Sequence, residues 1–266
     1  MIRRLNVAAL AFALLTLVAS VAWAYPLLWA VLTTVVPRRA GGSVFDGFAT
    51  YANALINTPI GLWYLNSLIT SGTVALVVLG ISAAAGYAIS QLRFQGRKLL
   101  WGIILASFMI PVQALMVNHF MLMNSFRLIN TLAGVILPQL IAPVAVIVYK
   151  QFFDSVPREL SEAARVDGAG HVRILWSIYL PANWGVTAAL AIIVFIGAWN
   201  AFLWPFLAVS REPLMNITVA VGQIEQYAGV SGLAAALLAG LPVALVYLVF
   251  QRKVTGAIML SAGIKG

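Results

Sequence analysis

The chain has 266 residues, 62% hydrophobic and 9% charged, with a formal net charge of +9 and no cysteine. The missing cysteines exclude disulfides and thiolate metal sites. A mean hydropathy of +0.99 excludes an ordinary soluble domain, because the apolar runs reach the roughly 20 residues that a helix needs to cross a bilayer.

Uncharged stretches run over 5–37, 47–92, 99–126, 128–149, 174–210 and 226–251. They predict an all-α, polytopic membrane protein with six transmembrane helices, at about 7–32, 64–90, 100–122, 131–152, 184–209 and 231–251. The whole of 1–266 is read as one transmembrane domain.

At the N-terminus, Arg3, Arg4 and the Ala22-Trp23-Ala24 triplet resemble a secretory signal. The apolar run continues through Trp29 to Val36, long enough to span, so the first helix is expected to be retained. The 47–63 segment carries Asn53, Asn57, Pro59 and Trp63 and reads as an interfacial lead-in to the second span, since Trp favours the headgroup level. Small residues crowd Gly80 to Gly86 and Ala234 to Ala236, which suits close helix packing. Pro111, Pro138, Pro143 and Pro205 fall in or at the ends of spans, where kinks are tolerated if neighbours satisfy the freed backbone groups.

Six spans put both termini on one side. That side holds Arg3, Arg4, Arg93, Arg97, Lys98, Lys150, Arg158, Arg165, Arg173, Arg252, Lys253 and Lys265; Arg38, Arg39, Arg127 and Arg211 fall on the other. The excess of Lys and Arg predicts cytoplasmic termini and a cytoplasmic 153–183 loop. The charges lie at helix ends and form no single basic face, so membrane lipid is expected as a partner and nucleic acid is not.

The 153–183 loop concentrates the chain's scarce charge. Ser155 and Pro157 suit a helix start. Glu159 and Glu162 complement the positive end of that helix. Leu160, Ala163, Ala164 and Val166 make a narrow apolar face, and Asp167-Gly168 provides a stop with Gly at the left-handed cap. A second amphipathic stretch runs from Val172 through Ile178 to Pro181. Two readings stand side by side: docking into a partner's cleft, or an interfacial loop packed on its own bundle.

Glu162-Ala163-Ala164, then Gly168 after three residues, then Ile178-Tyr179-Leu180-Pro181 after nine more, resembles the EAA loop of ABC importer permeases. Asn66-Ser67-Leu68, Arg93 to Arg97, Trp199-Asn200, Leu203-Trp204-Pro205 and the Ala262 to Gly266 tail resemble the carbohydrate-type branch of that family. Ala201 departs from the branch, which commonly carries Glu there. The resemblance implies the type I ABC importer permease fold with a cytoplasmic coupling helix, in the bacterial inner membrane. In it, Glu162, Ala163, Ala164, Asp167 and Gly168 couple to an ATPase. It also implies a second homologous permease chain, two nucleotide-binding subunits that hold ATP and Mg, and an extracytoplasmic solute-binding protein.

The chain has no G-x-x-x-x-G-K-[ST] phosphate loop, so no cofactor is expected here and no catalysis. His119 and His171 are the only histidines, which does not suit a metal site. Acidic residues are absent from the span centres; a proton relay would place one there, and Glu225 lies in an external loop. Gln113, Asn118, Gln139 and Asn200, with Trp199 nearby, are the candidate substrate path, since amides and an aromatic ring suit sugar hydroxyls and ring faces. Interhelical hydrogen bonding is the competing reading for each. Import of a sugar or related polyol is the function expected; another solute class, or an ATP-independent transporter or channel, are the alternatives.

Overall fold

The computed structural model describes residues 7–36, 44–224, 227 and 230–261. Arg3, Arg4, Arg38, Arg39, Glu225 and the Ala262–Gly266 tail lie outside the described residues. Among those described, the regular structure is helical throughout. In chain order the helices are α1 (Val7–Val35), α2 (Val44–Asn57), α3 (Ile60–Gln91), α4 (Arg97–Phe108), α5 (Met116–Ser125), α6 (Leu132–Ile136), α7 (Pro143–Asp154) and α8 (Arg158–Val166). They continue with α9 (His171–Ile174), α10 (Leu180–Ala182), α11 (Trp184–Trp199), α12 (Leu203–Ala208), α13 (Ile217–Gly222) and α14 (Gly232–Ser261). A π-helical turn, Leu175–Tyr179, joins α9 to α10.

Two compact units form. The first takes residues Met1–Ile60 and Val221–Gly240; the second takes Gly61–Ala220 and Leu241–Gly266. In the first, α1 packs on α2. Thr34 Oγ1 and the Tyr51 hydroxyl share a hydrogen bond of 2.6 Å. Gly47 lies so close that an added Cβ would stand 2.1 Å from the Val35 carbonyl oxygen. The 47–63 segment is thus mostly helix, interrupted before Pro59 and resumed at Ile60.

In the second unit the core gathers Val74, Val78, Ala83 and Tyr87 of α3, Tyr149 and Phe153 of α7, Ile174, Leu175 and Tyr179 of the loop, and Val186 and Leu190 of α11. Tyr87 and Phe153 meet the Tyr179 ring edge-on at 5.1 and 5.4 Å. The second half of the 153–183 loop is therefore anchored in the bundle by large apolar side chains.

Three helices are long and apolar enough to span: Leu10–Val35, Ile60–Gln91 and Gly232–Phe250. Three further helix pairs pass the same test of length and composition only when the two bent halves are taken together, and for the first two a proline supplies the bend. Arg97–Phe108 and Val112–Ser125 meet at 95° around Pro111, which is extended at φ −66°, ψ 130° and has no N–H to continue a helix. Leu132–Leu140 and Pro143–Asp154 meet at 45°; Ala142, before Pro143, is pushed out of the helical region. His171–Ala182 and Trp184–Trp199 meet at 86°. Within the expected 184–209 span, α11 ends at Trp199 and α12 begins at Leu203. The break precedes Pro205, and Thr218 Oγ1 donates to the freed Ala201 carbonyl at 3.0 Å.

Candidate functional site: the 153–183 loop and the polar groups of the spans

The loop begins where α7 ends. Ser155 was the expected N-cap of α8, but its hydroxyl donates back to the Phe152 carbonyl at 2.7 Å and it caps the C-terminus of α7. Pro157 occupies the N-cap position of α8, with φ −56° and ψ 131°. Helix α8 then runs for 9 residues with Glu159 in its first turn and Arg165 in its last, the polarity that the helix dipole favours.

Its end is a Schellman closure. Gly168 is left-handed at φ 78°. The Gly168 amide donates to the Arg165 carbonyl at 3.0 Å, and the Ala169 amide donates to the Ala164 carbonyl at 2.9 Å. These are the two bonds that satisfy the last carbonyls of a helix when the C′ residue turns left-handed.

The faces of α8 separate cleanly. Ser161 is buried and Ala164 half-buried, toward the bundle. Leu160, Glu162, Ala163, Val166 and Asp167 are exposed, Val166 at 88%. The apolar face expected from the spacing is therefore split: Ala164 packs inward, while Leu160, Ala163 and Val166 face out. Val172 and Trp176 extend the exposed apolar set beyond the turn. Glu162 and Asp167 form no ion pair among the described residues.

Behind the turn, His171 Nδ1 lies 3.2 Å from the Tyr87 hydroxyl. Ser90 donates to Asp154 at 2.6 Å, Lys150 pairs with the same carboxylate, and Gln91 donates to the Phe153 carbonyl at 3.1 Å. The end of α3 is thereby tied to the end of α7, which fixes where α8 starts.

The candidate path residues are not gathered into one site. Gln113 and Asn118 are exposed on either side of the start of α5, beyond the bend at Pro111. Gln139 donates to the Val135 carbonyl one turn back, at 2.8 Å. Trp199 is 2% exposed, with Tyr64 and Phe195 at ring distances of 6.1 and 5.7 Å. Asn200 is exposed at the break between α11 and α12. Near this break the Trp204 indole donates to the Val135 carbonyl at 3.1 Å and meets the His119 ring edge-on at 5.7 Å.

Sequence reasoning missed the clasps at the opposite end of the second unit. Asn66 donates to the carbonyls of Pro213 and Met215 at 2.9 and 3.0 Å. Ser67 accepts from the Ile217 amide at 2.8 Å, and Asn216 donates to Thr70 at 2.9 Å. Asn130, left-handed at φ 61°, accepts from the amides of Ser210 and Arg211 at 2.7 and 3.1 Å. The available signal was Asn66-Ser67 at the head of a span, a polar pair with no obvious reason to enter lipid.

The family described as "Binding-protein-dependent transport system inner membrane component" matches residues 76–257, a region that contains the loop, its Schellman turn and the bent spans. The chain belongs to this family. Among its relatives, the arabinooligosaccharides transport system permease protein AraQ of Halalkalibacterium halodurans is 31% identical, over 91% of each chain. The sn-glycerol-3-phosphate transport system permease protein UgpE of Yersinia pestis is 34% identical, over 74% of this chain and 72% of its own. The lactose transport system permease protein LacG of Rhizobium radiobacter is 31% identical, over 86% and 87%.

A chain from the crystal structure of a bacterial ABC transporter involved in the import of the acidic polysaccharide alginate superposes with a TM-score of 0.80. It is 21% identical and covers 95% of this chain and 98% of that one. The likeness establishes the type I permease fold for this inner membrane component. A second alginate transporter structure, in complex with an alginate pentasaccharide-bound periplasmic protein, superposes at 0.67 with 18% identity.

Proposed function

We propose that this chain is one of two permease subunits of an ATP-driven, binding-protein-dependent importer, and that its solute is a sugar or a related polyol compound. The chain itself catalyses no reaction. Two nucleotide-binding subunits hold ATP and Mg, and an extracytoplasmic binding protein delivers the solute. Both termini and the 153–183 loop face the cytoplasm.

The observation that carries the coupling is the shape of α8. It is a short helix with a thin, Ala-bearing outer face, closed by Gly168 and rooted by Ile174, Leu175 and Tyr179 in the core. Glu162, Ala163, Asp167 and Gly168 are exposed for an ATPase to grip, and Ala164 fits the helix to the bundle. A push on α8 passes through the buried aromatic residues into α3 and α7, so closure of the ATPase subunits would rock the spans as rigid bodies. The permeases of arabinooligosaccharide and lactose transport among its relatives support the solute class. The sn-glycerol-3-phosphate permease supports a phosphate ester as second reading.

Gln113, Asn118 and Asn200 are the path residues best placed to meet solute, being exposed beside helix breaks, where transporters commonly build their sites. Gln139 and Trp199 would serve the path by holding its walls.

The test is co-purification of the assembled complex from its native membrane, followed by identification of the solute on the associated binding protein. Proteoliposomes should then import that solute only with ATP inside and binding protein outside. Transport by the isolated chain under an ion gradient would overturn the proposal. A bound phosphate ester in place of a sugar would select the second reading.

A further inference from the structure

A cleft of about 760 Å³ opens between the end of α3, the turn into α4 and helix α8. Arg93, Arg97, Arg158 and Arg165 line it, against a single carboxylate, Glu162. No ion pair joins any of the four arginines to an acid among the described residues. The nearby carboxylate of Asp154 is already engaged by Ser90 and Lys150. The walls also pre-orient one of the cations: Arg97 donates to the Leu92 carbonyl at 3.1 Å.

Four arginines lining one cleft with a single carboxylate leave a positive excess that favours an anion. Guanidinium forks match the oxygens of a phosphate bidentately. Position selects the phosphate's source. The cleft sits at the end of α3, whose 32 residues, about 48 Å of helix, exceed a hydrocarbon core of about 30 Å and so carry this end toward the interface, where basic pockets take acidic lipid headgroups. Phe94, 41% exposed, stands in the lining and offers an apolar wall to the glycerol and first methylenes of a lipid. Free phosphate would gain nothing from it.

We propose that this cleft binds the phosphate group of an anionic phospholipid, with Arg93 and Arg158 from opposite walls as its principal contacts. The site shares Glu162 with the coupling face, yet its occupancy can be measured on the chain alone. The inference therefore stands or falls separately from the proposed importer function.

The experiment is native mass spectrometry of the purified full chain. It is released from nanodiscs of phosphatidylcholine containing equal small fractions of phosphatidylglycerol and phosphatidylethanolamine. The wild type should retain phosphatidylglycerol in preference, and the preference should fall in high salt, which screens exposed charge. Arg93→Gln with Arg158→Gln should cut the retained fraction about tenfold or more, as loss of charged hydrogen bonds requires. Arg93→Lys with Arg158→Lys should restore part of it, and Arg211→Gln should leave it unchanged. Thermal unfolding in detergent checks that the variants are folded. Equal retention of all three lipids, or wild-type retention in the folded Gln variant, would overturn the proposal. Displacement of the lipid by millimolar inorganic phosphate would overturn the lipid source and leave a free-anion site. If Arg93→Glu with Arg158→Glu abolished ATPase association while phosphatidylglycerol retention stayed at wild type, the cleft would be an acidic-protein contact and the proposal would fail.

Discussion

Gly86 of α3 and Tyr149 of α7 bring the two helix backbones together: a Cβ on Gly86 would stand 2.7 Å from the Tyr149 Cβ and 3.0 Å from the Lys150 amide nitrogen. Neither atom is the end of a flexible side chain, so the helices would have to part. Gly86→Ala should destabilise the chain by about 1–3 kcal/mol, the range for overpacking a well-filled contact. Gly80, on the same helix, has nothing within 4 Å of its Cβ position. Gly80→Ala in the isolated chain should be neutral or stabilising, by up to about 1 kcal/mol. Thermal unfolding in detergent compares the pair; equal effects would refute the close-contact account.

Gly168 gives a different kind of prediction. An added side chain meets nothing within 4 Å, so only its φ of 78° resists substitution. Gly168→Ala should cost about 1–2 kcal/mol in the turn, and Gly168→Asn less. Gly168→Pro should cost more, since proline cannot take positive φ and loses the N–H that donates to Arg165. The expected phenotype is a stably inserted chain with weakened ATPase association, graded Asn, Ala, Pro. Pull-down of the ATPase and stimulated hydrolysis in proteoliposomes measure it. Wild-type turnover in the proline variant would remove the case for coupling through this turn.

Asn66 holds two backbone carbonyls of the 213–215 segment. Asn66→Leu should leave them short of donors, at about 1–3 kcal/mol. The 210–217 segment should loosen, seen as faster tryptic cleavage at Arg211 and a lower unfolding temperature. Asn130→Ala should speed the same cleavage, because it removes the acceptor shared by the Ser210 and Arg211 amides.

Orientation can be tested by single-cysteine labelling, which the chain's lack of native cysteine makes clean. Ser161 is 5% exposed and would report burial instead of sidedness. Val166→Cys, at an 88% exposed position, is the better probe of α8, and Arg211→Cys serves the opposite end. An impermeant maleimide on intact cells should label the second and not the first. The reverse pattern would invert the topology.

The sequence by itself determined the membrane class, because uncharged runs of this length have one physical use. It also located α8 and its stop: a charge cluster ending in Asp167-Gly168 leaves few alternatives to a short helix with a left-handed cap. It could not see that Ser155 serves the end of α7, since a hydroxyl's partner depends on which backbone reaches it first. It could not tell Gly86 from Gly80, because identical small residues differ only in what a neighbouring helix brings against them. The bends at Pro111 and Ala142 and the break before Pro205 were latent in the prolines, but the donor that satisfies the freed Ala201 carbonyl, Thr218, was not. Only the tertiary structure decided the arginine cleft. Its four cations lie on segments distant in sequence, and the bond from Ser90 to Asp154 that ties the end of α3 to the end of α7, ahead of α8, is a contact no spacing rule contains.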